Sequence, residues 1–311
     1  MPDRAAGPLY GAIEAGGTKF CCALAGGVSD LRASERFATT TPDETFAKVI
    51  DFFSSCERTH GPISAFGIGC FGPLDLDVRS ASYGRILTTP KPGWSHCDLR
   101  ARLRERFAIP IGLDTDVNAA ALAEWDHAAS GGLRSLVYVT VGTGIGGGAV
   151  IAGRSLQGPW HPEMGHIRVV RHPEDTAFAG VCPFHGDCLE GLASGPAITA
   201  RWGAEMKALL QDTRACRIIG SYLGQFAATI ALMLAPDRIV FGGGVMNAGA
   251  LLSQIRSSCR QQLAGYLSHP LLQQTLGQFI VGPALAERSG ICGAILLATA
   301  SHRASHAGAA E

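Results

Sequence analysis

YGAIEAGGTKFCCAL, residues 10–24, sets two short apolar runs around a polar, glycine-bearing centre. Residues 10–13 and 20–24 read as strands, and Glu14-Ala15-Gly16-Gly17-Thr18-Lys19 as the turn of a hairpin. The pattern restarts at SLVYVTVGTGIGGGAVI, residues 135–151. There Ser135–Val141 is the outgoing strand, residues 142–148 form a glycine turn, and residues 149–151 return. Two such hairpins, each leading into further α/β segments, predict duplicated α/β domains facing one another across a cleft.

Between and beyond the hairpins the chain alternates. A strand-like stretch at 28–38 leads to Thr41-Pro42-Asp43-Glu44, whose cap and proline predict a helix to about Cys56. Ile63–Cys70 is a buried strand ending in Phe71-Gly72-Pro73. Residues 99–107 predict a helix, 109–113 a strand, and Asp116 opens a helix running to Trp125. Residues 238–241 form another buried strand, with Gly242-Gly243-Gly244 directly after it. A small-residue, apolar helix at 289–299 follows, and residues 301–311 read as a frayed tail.

At 311 residues the chain has room for two ordinary domains with a substantial core. Lys plus Arg equals Asp plus Glu at 26 each, which is not the basic excess of a nucleic-acid binder. The N-terminus carries no signal-peptide pattern, and the apolar run 218–234 is interrupted by Gly224 and Gln225, so a buried helix is expected rather than a membrane span. Ten scattered cysteines form no disulfide framework and point to a reducing, cytoplasmic compartment. The 40 glycines exceed the usual ~7% and gather in short motifs, as tight turns and close backbone–ligand approaches require.

Each glycine run alone is equally a tight turn. Three of them placed after strands point to phosphate binding, because freed backbone N–H groups can wrap phosphate oxygens. Thr18 and Thr143 would add hydroxyls, and Lys19 either adds charge or faces solvent. No G-x-x-x-x-G-K-[ST] occurs, and the 142–147 run leads into a strand instead of a helix, so neither a P-loop nor a dinucleotide fingerprint is present. Asp114-Thr115-Asp116-Val117-Asn118 sits where a strand hands over to a helix. Either aspartate serves there as a cap, or one takes the proton of an attacking hydroxyl.

His166, Cys182, His185 and Cys188 follow the order H…C-x-x-H-x-x-C. Two imidazoles and two thiolates suit tetrahedral Zn²⁺, and a closed four-ligand shell braces a loop instead of performing chemistry. Glu163 and Glu190 flank the cluster, as partners of the metal ligands or of a substrate.

Together these motifs resemble the ROK family (repressors, open reading frames and sugar kinases), in particular its zinc-containing bacterial fructokinase branch, over roughly residues 10–300. The resemblance implies the duplicated ribonuclease-H-like fold of actin-like ATPases, with ATP and sugar in the cleft. It implies a first domain at 1–118 completed by a helix at about 289–301, and a larger zinc-bearing domain at 119–288. Glu14, Gly16, Gly17, Thr18 and Lys19 match the first phosphate motif, and Gly142, Thr143, Gly144 and Gly146 the second. Gly242, Gly243 and Gly244 match the adenosine motif. Asp116 is similar to the catalytic aspartate, while Asn118, Glu163, His166 and Glu190 are expected to hold the sugar, His166 also ligating zinc. Cys70-Phe71-Gly72-Pro73-Leu74-Asp75 and Thr88-Thr89-Pro90-Lys91-Pro92-Gly93-Trp94 resemble the fructokinase branch.

Three positions depart from the family pattern. Glu14 stands where aspartate is common, Thr115 where glucose kinases carry asparagine, and His185 replaces one thiolate of a three-cysteine cluster. Only nine residues precede Tyr10, too few for the DNA-binding segment of the family's repressors. The expected activity is transfer of the ATP γ-phosphoryl group to the 6-hydroxyl of D-fructose, with Mg²⁺ at the phosphates, in a homodimer that uses neither nucleic acid nor membrane. Glucose, mannose or an N-acetylhexosamine is the alternative acceptor, and a non-catalytic sugar sensor the alternative of another class.

Overall fold

The computed structural model describes residues 7–158, 160–246 and 250–307. The chain divides into two compact units, one of residues 1–123, 156–161 and 288–311, the other of 124–155 and 162–287.

In the first unit β1 (Leu9–Ala15), β2 (Lys19–Gly27), β3 (Asp30–Ala38), β4 (Ile63–Cys70) and β5 (Ile111–Thr115) form one sheet in the order β3-β2-β1-β4-β5. The hairpin and β3 are antiparallel, whereas β4 and β5 run parallel to β1. One face is aromatic. Helix α1 (Pro42–His60) turns Phe46, Val49, Phe53 and Cys56 onto it, a helical spacing that needs only one buried side. Thr41 caps this helix by accepting the Glu44 N–H, with Pro42 in the first turn and Arg58 and His60 in the last. Phe20, Phe46 and Trp94 meet there with ring centroids 5.4 to 6.4 Å apart. The short helix α2 (Leu99–Arg104), capped by Asp98, buries Leu99 and Leu103.

The other face is made of small residues. The C-terminal helix, Ser289–Ala307, packs on β1, β2, β4 and β5, where Ala12, Ala23 and Ala25 meet Ala294 and Ile295. A methyl on Gly67 of β4 would come within 1.9 Å of the Ala294 carbonyl oxygen, so glycine there is what lets helix backbone approach strand backbone. This helix runs to Ala307, and His302 sits 3.3 Å from the Tyr10 hydroxyl. The frayed tail expected from residue 301 is therefore corrected up to Ala307, and residues 308–311 lie outside the described residues. Ala-rich sequence favours helix, and the packing of His302 on Tyr10 extends it. Helix α2 stops at Arg104, short of 107, and β5 starts at Ile111 instead of 109.

Helix α3 (Asp116–Ala129) begins in the first unit and ends in the second, the boundary falling between Ala123 and Glu124. The second unit's sheet repeats the plan. Strands β6 (Ser135–Val141), β7 (Ile145–Ile151), β8 (Arg154–Ser155), β9 (Arg238–Gly242) and β10 (Ile280–Val281) are ordered β10-β9-β6-β7-β8. Again an antiparallel hairpin joins strands parallel to its first member. The returning strand starts four residues earlier than expected, so the turn is only Gly142-Thr143-Gly144. Gly146, Gly147 and Gly148 pair with Thr140, Val139 and Tyr138. Met164 packs over Gly147 in that strand, its sulfur 2.6 Å from where a methyl would lie.

Beyond the sheet, α4 (Leu189–Ala193) and α5 (Gly195–Trp202) follow the cysteine-bearing loop. Helix α6 (Thr213–Leu234) packs along α7 (Ala250–Leu263), with Gly220 and Gly224 opposite Gln254 and Ser258. By length and composition α6 could cross a membrane, but 61% of its apolar window is buried inside the protein, as in a core helix.

Candidate functional site

In the first unit Ala15 of β1 pairs with Cys70 of β4, and Cys70 pairs with Thr115 of β5. The three strand ends lie in register. The turn after β1 and the helix start after β5 therefore leave the same carboxyl edge of the sheet, two strand spacings or roughly 10 Å apart. Such edges are where open α/β sheets bind ligands.

The β1–β2 turn is closed by Gly16 N–H donating to the Lys19 carbonyl at 3.0 Å. Thr18 and Lys19 are exposed at its tip, and Gly17 faces open space where a methyl would meet nothing within 4 Å. Glu14, the last but one residue of β1, lies against the first turn of the C-terminal helix, where a methyl on Gly290 would come 2.6 Å from its carboxyl carbon.

The two candidate aspartates are built differently. Asp114 is buried, and its Oδ1 accepts the Thr115 N–H at 2.8 Å and the Asn118 amide at 2.7 Å. Its Oδ2 accepts the Gln157 amide at 3.3 Å. Asp116 is only partly buried and accepts the Val117 N–H at 2.9 Å at the head of α3. Asp114 is thus held by three polar partners, and Asp116 is the more exposed of the two carboxylates. Asn118 is buried with its NH₂ committed to Asp114 and its Oδ1 without a protein acceptor–donor pair among the described residues.

In the second unit the turn Gly142-Thr143-Gly144 leaves β6 as Gly242-Gly243-Gly244 leaves β9. The Val245 N–H donates to the Val141 carbonyl at 3.0 Å, and the Gly195 N–H, at the head of α5, donates to the Gly142 carbonyl at 2.7 Å. Gly243 has φ +91°, and a methyl there would strike the Val141 backbone, so this position requires glycine for the chain's own sake. Gly142 and Gly244 instead face open space, and Thr143 is exposed.

The four cluster residues converge. Their ligand atoms all lie within 4.8 Å of one another. His166 Nδ1 is 3.5 Å from Cys188 Sγ and 3.8 Å from Cys182 Sγ, and Cys182 Sγ is 3.6 Å from His185 Nδ1. A tetrahedron with metal–ligand bonds of about 2.0–2.3 Å has edges of roughly 3.3–3.8 Å, so the donor set fits one zinc ion. The tight turn from Cys182 to Cys188 is set by Cys182 and Gly186 exchanging backbone hydrogen bonds, with Gly186 at φ +63°.

His166 turns its other nitrogen, Nε2, toward Glu190 Oε1 at 3.9 Å. Glu190 Oε2 accepts the Ile145 N–H at 2.9 Å, directly over Gly144. Glu163 lies just before the turn of helix that carries His166, and desolvation raises its carboxyl above the ordinary range. His166 opposes that rise and Glu190 adds to it. Glu163, His166 and Glu190 thus form one group bordering the second glycine turn and the metal-type cluster.

A profile of the ROK family matches residues 10–301. The chain belongs to the ROK family. This ROK chain is 44% identical over 296 residues to the fructokinase of Zymomonas mobilis subsp. mobilis (strain ATCC 31821 / ZM4 / CP4), covering 94% of this chain and 97% of the relative. It is 44% identical over 261 residues to the fructokinase of Lactococcus lactis subsp. cremoris, covering 84% and 87%. A crystal structure of a ROK family glucokinase from Streptomyces griseus, in complex with glucose and AMPPNP, matches with a TM-score of 0.74 at 25% identity, covering 94% of this chain and 99% of that one.

Sequence reasoning missed Gln157, Thr39 and Arg201. Gln157 steadies Asp114 from 43 residues away. Arg201 binds both the Leu192 carbonyl at the end of α4 and the Asp175 carboxylate, holding the helix that carries Glu190. No local spacing signals such contacts.

Proposed function

We propose that this ROK chain transfers the γ-phosphoryl group of ATP to the 6-hydroxyl of D-fructose, giving fructose 6-phosphate. The observation that carries the substrate is 44% identity across 94% of the chain to a protein named fructokinase, against 25% to a glucokinase. The two sheets are read as duplicated ribonuclease-H-like domains, the first functional domain spanning 1–118 with 289–301 and the second 119–288.

Asp116, presented at the carboxyl edge, accepts the proton of the attacking hydroxyl. Phosphoryl transfer otherwise asks mainly for alignment and charge neutralisation. The N–H groups and hydroxyls around Gly16, Gly17, Thr18 and Lys19, and around Gly142, Thr143, Gly144 and Gly146, hold the phosphates. Gly242, Gly243 and Gly244 border the adenosine. The buried Oδ1 of Asn118 accepts one sugar hydroxyl, and Glu163, His166 and Glu190 fix others. Bound Mg²⁺ would neutralise phosphate charge, with the Glu14 carboxylate as its oxygen-bearing neighbour in the chain. His166, Cys182, His185 and Cys188 would hold a structural Zn²⁺ that supplies rigidity to the loop carrying Glu163 and Glu190. The setting is cytoplasmic, the assembly a homodimer, and the substrates are small molecules, without nucleic acid or membrane.

An ADP-release assay over fructose, glucose, mannose and N-acetylhexosamines tests the assignment. The expected result is the highest kcat/KM on fructose. A higher value on an aldose would transfer the reading to that sugar, and sugar binding without ATP turnover would make the protein a sensor.

A further inference from the structure

We infer that Lys91 is a positioning residue for the first phosphate turn, acting through the backbone of Thr39. The inference rests on the proposed assignment of Gly16–Lys19 as a phosphate-holding turn.

Two carbonyls of that turn point at one residue. The Thr39 hydroxyl donates to the Gly16 carbonyl at 2.7 Å, and the Thr39 N–H donates to the Thr18 carbonyl at 3.0 Å. A peptide unit is planar and trans, so fixing the carbonyl of Gly16 also fixes the N–H of Gly17 to point the opposite way. That N–H belongs to the glycine that faces open space. Thr39, which is buried, therefore sets the direction in which the turn offers its donor.

Thr39 is held in turn from a distant loop. Lys91 Nζ donates to the Thr39 carbonyl at 3.1 Å, and the Trp94 indole N–H donates to the Thr40 carbonyl at 2.8 Å. Trp94 is fully buried among Phe20, Phe46 and Phe71, so the second of these bonds is anchored in the aromatic core. Lys91 is partly buried and gives a charge-assisted bond, stronger than a neutral one. The segment from Lys91 to Trp94 thus clasps the strand end that orients the turn, and nucleotide affinity depends on a loop that contributes nothing to the turn itself.

Lys91→Met, Lys91→Arg, Trp94→Phe and Thr18→Ala test this, each measured for ATP KM, fructose KM, kcat, and binding of a non-hydrolysable ATP analogue without sugar. Loss of one charge-assisted hydrogen bond is expected to raise the Lys91→Met ATP KM and analogue Kd about tenfold. Fructose KM should change less than about twofold, and Lys91→Arg should recover most of the loss because it keeps a charged donor. Trp94→Phe keeps the ring and removes the donor, and should shift ATP KM in the same direction. Unchanged analogue binding in Lys91→Met, or equal rises in both KM values, overturns the inference. If Thr18→Ala weakens analogue binding while Lys91→Met does not, the clasp fails and the phosphate-turn assignment stands. If Thr18→Ala also leaves analogue binding unchanged, that assignment fails and takes the inference with it.

Discussion

Glu190 accepts the backbone N–H of Ile145 at 2.9 Å, so one carboxylate ties the second glycine turn to the helix that leaves the His/Cys cluster. Glu190→Ala should therefore raise both fructose KM and ATP KM, each by about tenfold, the scale of one hydrogen bond to a charged group. Glu190→Gln retains an acceptor for the Ile145 N–H and should spare ATP KM while fructose KM still rises. Steady-state kinetics with each substrate varied decides it, and unchanged KM values in Glu190→Ala would remove the residue from the site.

Asp116→Asn should lower kcat by at least ~10²-fold with sugar affinity nearly unchanged, the usual scale of a general base. Asp114→Asn should act on stability instead. It replaces an acceptor-only carboxylate that binds Thr115, Asn118 and Gln157, so thermal unfolding should move down before kcat does. Wild-type turnover in Asp116→Asn would pass the catalytic role to another group.

Purified protein should carry about one zinc per chain. Cys182→Ser or prolonged chelation should strip it and weaken fructose turnover, with the Mg²⁺ requirement unchanged, since thiolates select zinc and phosphates select Mg²⁺. Elemental analysis beside kinetics in excess Mg²⁺ is the measurement. Full fructose turnover by metal-free protein would end the bracing account.

Asp237 offers a pH test in the second unit. Its Oδ2 accepts the Arg134 and Ser135 N–H groups at 2.8 and 2.9 Å and the Ser135 hydroxyl at 3.2 Å. Partial burial pushes this carboxyl up, but those donors outweigh it and hold the group below the ordinary carboxylate range. A folded value below the unfolded one means stabilisation that is complete above the unfolded pKa of ~3.9 and lost as pH falls through the folded value. The difference in denaturant midpoint between wild type and Asp237→Asn should be constant from about pH 7 to 5 and shrink below about pH 4. A difference that grows in acid would reverse the sign and refute the assignment.

Much of the fold is written locally. Both hairpins, the capped helix after Thr41 and the cysteine turn announce themselves through periodicity, cap chemistry and ligand spacing. Gly146, Gly147 and Gly148 misled because glycine signals a turn, while their strand conformation comes from antiparallel pairing with Thr140, Val139 and Tyr138. The end of the C-terminal helix misled for a related reason, since the packing of His302 on Tyr10 spans 292 residues. In the site, residue types were legible and their partners were not. Asp114 and Asp116 look alike in sequence, and the reach of Asn118 and Gln157 to Asp114 is what distinguishes them in the structure.

The C-terminal helix has a further consequence for how the protein is made. The first unit draws on residues 1–123, 156–161 and 288–311, and the alanine and glycine face of its sheet is covered by the C-terminal helix. Synthesis proceeds from the N-terminus, so Glu14 on β1 and Asp116 after β5 emerge early but wait for the whole second unit to be translated before their sheet is covered. A nonsense codon between residues 124 and 288 would yield a chain that keeps Asp116 but lacks the helix covering its sheet, leaving an open, aggregation-prone face.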